Sequence, residues 1–301
     1  MIMTYYLLRC VWRLLSCLPL PVMYLLSDGI YYIVYYLGRY RRKVARKNLI
    51  ESFPEKSLQE IKTIEKRFYR FFIDLILEMS KLMSFSKKEM AKRMRFSNIE
   101  MLNAEIQQGK SITLYMSHYG NWEWVSSLAM YLNPEPPVRF GMIYKKQHNE
   151  SADKILLSNR GRMGGICVEM KQTMRWIEEQ VKNKIATITC YVADQSPGKE
   201  QIRHYVPFLH HNAPAFIGAE KITKRYGFEA WYLDVRRLKR GYYEAAFVRL
   251  HEHPKSLPDF ELTDSYYRRL EETICRQPEL YLWTHNRFKH AGTKPLQEDK
   301  L

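Results

Sequence analysis

Two rhythms of apolar and polar positions run along this chain. Short apolar runs are bounded by turn residues, and longer stripes recur at helical spacing. From Ser57 to Met83, the residues Ile61, Ile64, Phe68, Phe71, Phe72, Leu75 and Leu82 form one broad apolar face. Ser57, with Glu60 three positions later, is a capping-box start for that helix. Arg70 and Asp74 lie one turn apart on it and read as a surface pair. Residues 87–110 read as a shorter, polar helical stretch. The run from Ile112 to Ser117 reads as a strand, 121–131 as a helix and VRFGMIY (138–144) as a second strand. Helices follow at 153–159 and 168–182, and a third strand lies within KIATITCYVADQSP. After HYVPFL (204–209), a helix over 213–226 precedes two strand-like runs, FEAWYLDVRR and GYYEAAFVRL, which LKRG joins as a hairpin. A charged amphipathic helix over 263–276 comes last. Strands alternating with helices predict an α/β class built on a mostly parallel or mixed sheet flanked by helices.

The front of the chain breaks this rhythm. Residues 1–37 are apolar and aromatic, with Arg9, Arg13 and Asp28 as the only charges. Leu14 to Leu37 is long enough to cross hydrocarbon, which takes roughly 20 residues. Pro19, Pro21, Asp28 and Gly29 argue instead for a broken pair of helices, partly embedded or lying at the interface. YYIVYY (31–36) supplies side chains suited to the headgroup zone. The next stretch, GRYRRKVARK, holds Arg39, Arg41, Arg42, Lys43, Arg46 and Lys47 with no acid among them. Beside an apolar anchor, such a run grips anionic membrane lipid and places that side in the cytoplasm. A buried helical hairpin with a solvated basic end is the alternative.

Composition narrows the classes. The 301 residues are 46% hydrophobic and 27% charged, which suits one catalytic domain with added helices. A formal net charge of +16 calls for an anionic partner. A nucleic-acid partner is not expected, because no binding module and no basic groove interleaved with aromatics is present. The five cysteines are scattered without metal or disulfide spacing, so a reducing compartment is the default. His210 and His211 are adjacent, point apart on a strand and lack a third ligand, so no metal is expected.

The candidate chemistry lies in ITLYMSHYGNWEW (112–124), where a strand delivers His118 into a turn. On a continuous helix, residues five apart diverge by about 140°. Gly120 permits a turn that returns the Glu123 carboxylate to the imidazole. A histidine so held leaves its other ring nitrogen free to take a substrate proton. Asn121 and backbone N–H groups near Gly120 are candidates for oxyanion or turn support. The plainer alternative is a surface histidine in a loop, with Glu123 starting the next helix. Lys145, at the end of the 138–144 strand, stands where open α/β sheets hold ligands. Arg160 and Arg162, in the glycine-rich NRGRMGG, are candidates to pair with phosphate.

HYGNWE resembles the histidine, four residues, acid motif of the bacterial lipid A secondary acyltransferases, the lauroyl and myristoyl transferase type. ARKNLIESFPEKS is similar to that family's entry segment, with Asn48, Leu49, Phe53 and Pro54 in register. VADQSP resembles its Asp-Gln block, and RQPELYLWTHNRFK its C-terminal block. The resemblance implies a glycerolipid-acyltransferase-like fold on the cytoplasmic face of the bacterial inner membrane. Residues 1–47 would form the anchor and basic flank, and 48–301 the acyltransferase domain. It further implies an acyl group drawn from acyl carrier protein, without a cofactor, and passed to a hydroxyl of a lipid A precursor. His118 would be the general base and Glu123 its orienter, with Lys145, Arg160, Arg162, Asp194 and Gln195 binding substrate. Transfer to another membrane lipid, an amino-lipid or a glycerophospholipid, is the alternative within enzymes. A non-enzymatic basic membrane-binding protein is the alternative outside them.

Overall fold

The computed structural model describes residues 2–133 and 135–292. Seven strands form one sheet: β1 (Met94–Ser97), β2 (Ile112–Met116), β3 (Val138–Tyr144), β4 (Ile166–Glu169), β5 (Ala186–Val192), β8 (Glu229–Lys239) and β9 (Tyr242–His251). The strands between them in sequence, β6 (His204–Phe208) and β7 (His211–Ala215), pair as a separate antiparallel hairpin. The large sheet runs β1-β9-β8-β2-β5-β3-β4, parallel throughout except where β8 meets β9. All five residues of β2 are buried, as are the first five of β5. Strands covered on both faces read as unbroken apolar runs, which is why these two stand out in the sequence.

Helices flank this mostly parallel mixed sheet, so the α/β class holds. They are α5 (Lys87–Arg93), α6 (Ile99–Gln107), α7 (Glu150–Gly161), α8 (Thr173–Lys182), α9 (Gly218–Tyr226) and α10 (Glu261–Arg276). Several boundaries differ from the sequence reading. The stretch expected as one helical segment at 87–110 is cut by β1, where buried Met94 and Phe96 flank exposed Arg95 at a period of two. The expected helix at 121–131 is a run of tight 3₁₀ turns from Trp124 to Tyr131. Ser126 and Ser127 favour that form by donating to the carbonyls three residues back, Glu123 at 2.8 Å and Trp124 at 2.7 Å. At 168–182, the first residues belong to β4 and the helix starts at Thr173. At 213–226, β7 holds the chain extended through Ala215, and the helix starts at Gly218.

Four more helices lead the chain: α1 (Ile2–Cys17), α2 (Leu20–Tyr32), α3 (Arg42–Ser52) and α4 (Leu58–Ser80). A π turn over Ile33–Leu37 extends α2. The break between α1 and α2 falls at Leu18 and Pro19. The expected capping box opens α4: Ser57 N donates to Glu60 Oε2 at 2.8 Å, and Glu60 N to Ser57 Oγ at 3.3 Å. The domain division expected after residue 47 falls within α3.

Three buried carboxylates on α4 fasten the front of the chain to the body. Glu65 accepts from Tyr35 Oη and from both arms of Arg46, and Asp74 from Ser27 Oγ at 2.7 Å. Glu78 accepts from Tyr24 Oη at 2.8 Å. The surface pair expected between Arg70 and Asp74 does not form. Asp74 is buried and bound by Arg237 and Arg240 of the β8–β9 hairpin, while Arg70 lies over the ring of Tyr31. The partners of Asp74 come from across the fold, so helical spacing could not reveal them.

The opposite side of α2 faces outward. Leu25 is 74% exposed and Leu37 79%, with Val22, Leu26 and Ile33 beside them. Leu20–Leu37 is the one helix among the described residues long and apolar enough to cross a membrane.

Candidate active site

The chain leaves β2 at Met116 and turns at once. Gly120 takes φ +60°, the left-handed region, and a Cβ there would lie 2.8 Å from Val235 Cγ1. Only glycine meets both demands. Residues 277–282 lock the outside of the turn. Leu282 N donates to His118 O at 3.2 Å, Gly120 N to Leu280 O at 3.1 Å, and Tyr119 Oη to Gln277 O at 3.0 Å. Asn48 donates to the carbonyls of Trp283 and His285, so the entry segment and the C-terminal block meet behind the turn.

The carboxylate on His118 is Asp194. Its Oδ1 lies 2.8 Å from His118 Nδ1 and also accepts the His118 backbone N–H at 3.1 Å. The sheet dictates this meeting. Met116 pairs with Val192 in the parallel register of β2 and β5, so the positions two beyond each strand end emerge side by side. Burial works against the Asp194 charge. The neighbouring His118, with its charge and two hydrogen bonds, nevertheless holds the carboxyl below its ordinary value. With Nδ1–H given to Asp194, the lone pair of Nε2 faces Gln195, whose amide N–H donates to it at 3.2 Å. That tautomer is assigned from the partners.

The expected contact of Glu123 with His118 is replaced by another. Glu123 is buried and held by both arms of Arg160, at 2.6 and 2.8 Å. Its Oε1 also accepts Trp122 Nε1–H at 3.2 Å, and the Trp122 ring meets the His118 ring edge-on with centroids 5.1 Å apart. Glu123 thus reaches the imidazole through a tryptophan. Glu123, at the head of the 3₁₀ run, meets the end of α7, where Arg160 sits.

Other expected residues have structural partners. The Asn121 amide donates to buried Glu78 at 2.8 Å, and its Oδ1 accepts Trp124 N–H. The Gly120 N–H is taken by Leu280. Both therefore hold the turn, with the Gly120 N–H and one Asn121 N–H already taken. Arg162 donates to the carbonyls of Leu82 and Phe85 at 2.9 and 2.7 Å, tying the end of α7 to the segment that follows α4. Lys145 stands exposed beyond β3, and among the described residues it joins no ion pair with the dyad.

The sequence reading passed over His285. Its Nε2 accepts the Ser196 N–H at 3.4 Å. Burial pushes its pKa down to about 4, with Asp194 opposing and His118 reinforcing the shift. Its place in THNRFK, inside the C-terminal block, was the only signal. Arg287, from the same block, is 1% exposed and sits over the rings of Phe208 and Tyr267. His211 opens β7 and stacks on Phe288, whereas His210 lies in the turn before it rather than on a strand.

The arrangement suits proton transfer: a partly exposed imidazole, fixed at one nitrogen by a buried carboxylate, with its other nitrogen beside an amide donor. The chain matches the family model described as bacterial lipid A biosynthesis acyltransferase over residues 1–290. It is 22% identical over 287 residues to a lipid A biosynthesis palmitoleoyltransferase of Escherichia coli (strain K12), covering 94% of this chain and 89% of the relative. The same identity and coverage relate it to a lipid A biosynthesis acyltransferase of Shigella flexneri. A motif at one turn would be weak ground, but a match across nearly the whole length is not: the chain belongs to the bacterial lipid A biosynthesis acyltransferase family and is an acyltransferase.

Proposed function

We propose that the protein transfers a fatty acyl group from acyl carrier protein to a hydroxyl of a lipid A precursor, with His118 as general base and Asp194 as its orienter. The observation that carries this reading is the 2.8 Å contact between Asp194 Oδ1 and His118 Nδ1. The acceptor hydroxyl takes the place of the Gln195 amide at His118 Nε2 and gives up its proton as its oxygen attacks the thioester carbonyl. Asp194 stabilises the imidazolium that forms. Collapse of the tetrahedral intermediate makes the ester and breaks the carbon–sulfur bond. The departing thiolate takes the proton back from His118, and the base is restored. The displaced Gln195 N–H is then free to donate to the developing oxyanion, where one such group is worth roughly 3 kcal/mol.

The salt-bridged Glu123 and Arg160 act behind this centre by setting Trp122 against the imidazole. Lys145 remains a candidate for an anionic part of either substrate. Residues 1–47 anchor the enzyme at the cytoplasmic face of the bacterial inner membrane, with residues 48–301 as the acyltransferase domain. The exposed apolar side of α2 and the basic run at 39–47 support that placement, and the +16 charge suits both an anionic leaflet and an acidic carrier.

The test is transfer by purified full-length protein from labelled acyl carrier protein to a lipid A precursor, with intact-protein mass spectrometry of rapidly quenched samples. Product without a covalent acyl-enzyme is expected. A stoichiometric adduct competent for transfer would replace direct attack by an enzyme nucleophile.

A further inference from the structure

A well-formed cavity stands apart from His118. It lies between α2, α4 and the turn of the β8–β9 hairpin, with a volume of about 680 Å³. Five cations line it, Arg67, Arg70, Arg237, Lys239 and Arg240, against three carboxylates, Asp28, Asp74 and Glu279.

Pairing inside the cavity is uneven. Asp74 is claimed by Arg237 and Arg240, and Asp28 by Arg240. These two arginines therefore serve as structural clamps. Arg67, Arg70 and Lys239 form no ion pair among the described residues. Arg70 rests on the ring of Tyr31 and Lys239 on that of Tyr242, contacts that fix a cation without neutralising it. The Nε–H of Arg237 is buried without an acceptor. Glu279 is the one lining carboxylate outside the clamp, so the surplus charge is positive.

The cavity's place along α2 narrows the choice of anion. Asp28, Tyr31 and Tyr32 line it from the C-terminal half of α2, just before the apolar span ends and the basic run at 39–43 begins. Tyr32 is 56% exposed on the outward side, next to Ile33. A group bound here would have its polar end among the arginines and its apolar remainder along α2. Arginine forks match phosphate geometry. The arginines first expected to meet phosphate, Arg160 and Arg162, are committed to Glu123 and to backbone carbonyls.

We propose that this cavity is a binding site for the phosphate of a membrane-lipid headgroup, separate from the His118 centre. The two lie on either side of residues 277–282. Gln277 and Glu279 face the cavity, and Leu280 and Leu282 bind the catalytic turn. The proposal stands whether or not His118 is the base.

The test uses full-length protein and its partition onto phosphatidylcholine vesicles doped with either phosphatidic acid or phosphatidylserine, matched in surface charge. A terminal phosphate fits the cavity, whereas the serine headgroup presents a carboxylate and a shielded phosphodiester. Wild type should prefer the phosphatidic acid vesicles, and Arg67→Gln/Lys239→Gln should remove that preference with a loss of roughly 10-fold in affinity. The comparison variant is Arg41→Gln/Lys43→Gln, which removes the same charge from exposed positions outside the cavity. It should weaken binding to both vesicles alike and keep the preference. No preference in wild type, or a preference that survives Arg67→Gln/Lys239→Gln, would overturn the proposal. So would loss of the preference in both variants. Inorganic phosphate, titrated by calorimetry, distinguishes the source of the anion. Binding as tight as to the phosphatidic acid vesicles would assign the cavity to a soluble anion and overturn the lipid assignment. Much weaker binding, abolished in Arg67→Gln/Lys239→Gln, supports it.

Discussion

His118 and Asp194 are 76 positions apart in the chain and 2.8 Å apart in the fold. The same carboxylate oxygen takes both the ring N–H and the backbone N–H of the histidine, so it fixes the tautomer and the turn together. The acid five residues from the histidine, Glu123, serves a buried ion pair instead. This division of labour between two carboxylates gives the site its testable structure.

The Glu123–Arg160 pair should matter first for stability. Glu123 is 4% exposed, so Arg160→Ala would leave a buried charge without its partner and cost about 3–5 kcal/mol. Glu123→Leu/Arg160→Met should recover most of that loss, because an apolar pair of similar volume avoids desolvating two charges. Chemical denaturation of the three proteins checks this. A double variant as unstable as Arg160→Ala would contradict it.

Gly120→Ala faces two separate penalties. The left-handed backbone costs roughly 1–2 kcal/mol for a residue with a Cβ. The new methyl also presses on Val235 Cγ1. Adding Val235→Ala should relieve the second penalty but not the first. Partial recovery of the denaturation midpoint is therefore expected, and full recovery would mean that the backbone conformation is not strained.

Stability should depend on pH through His285. Its folded pKa of about 4 lies below the ordinary 6.5, so the unfolded chain takes up the proton first as pH falls. Stability is then complete above about 6.5 and declines towards 4, by on the order of 2–3 kcal/mol. Asp194, held below its ordinary value, adds a further loss at lower pH. Denaturation midpoints of wild type and His285→Gln across this window should diverge, with the variant showing the flatter profile between 6.5 and 4.

Membrane attachment is best tested without removing the anchor, because Tyr24, Ser27 and Tyr35 partner buried carboxylates of α4. Leu25→Glu/Leu37→Glu changes two outward side chains that take no part in the core. Flotation with anionic vesicles should fall while circular dichroism stays unchanged. Undiminished flotation would remove the outward side of α2 from the membrane contact.

Much of the fold was legible because it is local. The capping box of α4 and the buried runs of β2 and β5 each announce themselves within a few residues, and the β8–β9 hairpin through two adjacent strand-like runs. The strands β1, β4 and β7 were missed because four or five residues carry too little periodicity to interrupt a helical reading. His118 was legible as the end of a strand, and Asp194 as the end of another. Their meeting was not, because it needs the strand order, and the order puts β5 next to β2 through a crossover. Given that one adjacency, the register from Met116 to Val192 would have paired them. Asp74 and Glu78 posed the same difficulty: acids on an apolar helical face make sense only once Arg237, Tyr24 and Tyr243 arrive from elsewhere.

A double-mutant cycle on acyl transfer tests the central claim most directly, comparing His118→Ala, Asp194→Asn and Glu123→Gln singly and in pairs by kcat/KM. His118→Ala should cost roughly 10²–10⁴-fold, and Asp194→Asn should cost nearly as much. The two together should cost little more than His118→Ala alone, because an orienter has nothing to orient once the base is gone. Glu123→Gln, acting on the imidazole through Trp122, should cost less than Asp194→Asn, and that loss should likewise shrink in the His118→Ala background. Near-normal turnover by His118→Ala would contradict the mechanism. So would strong coupling of His118 to Glu123 with additive losses at Asp194.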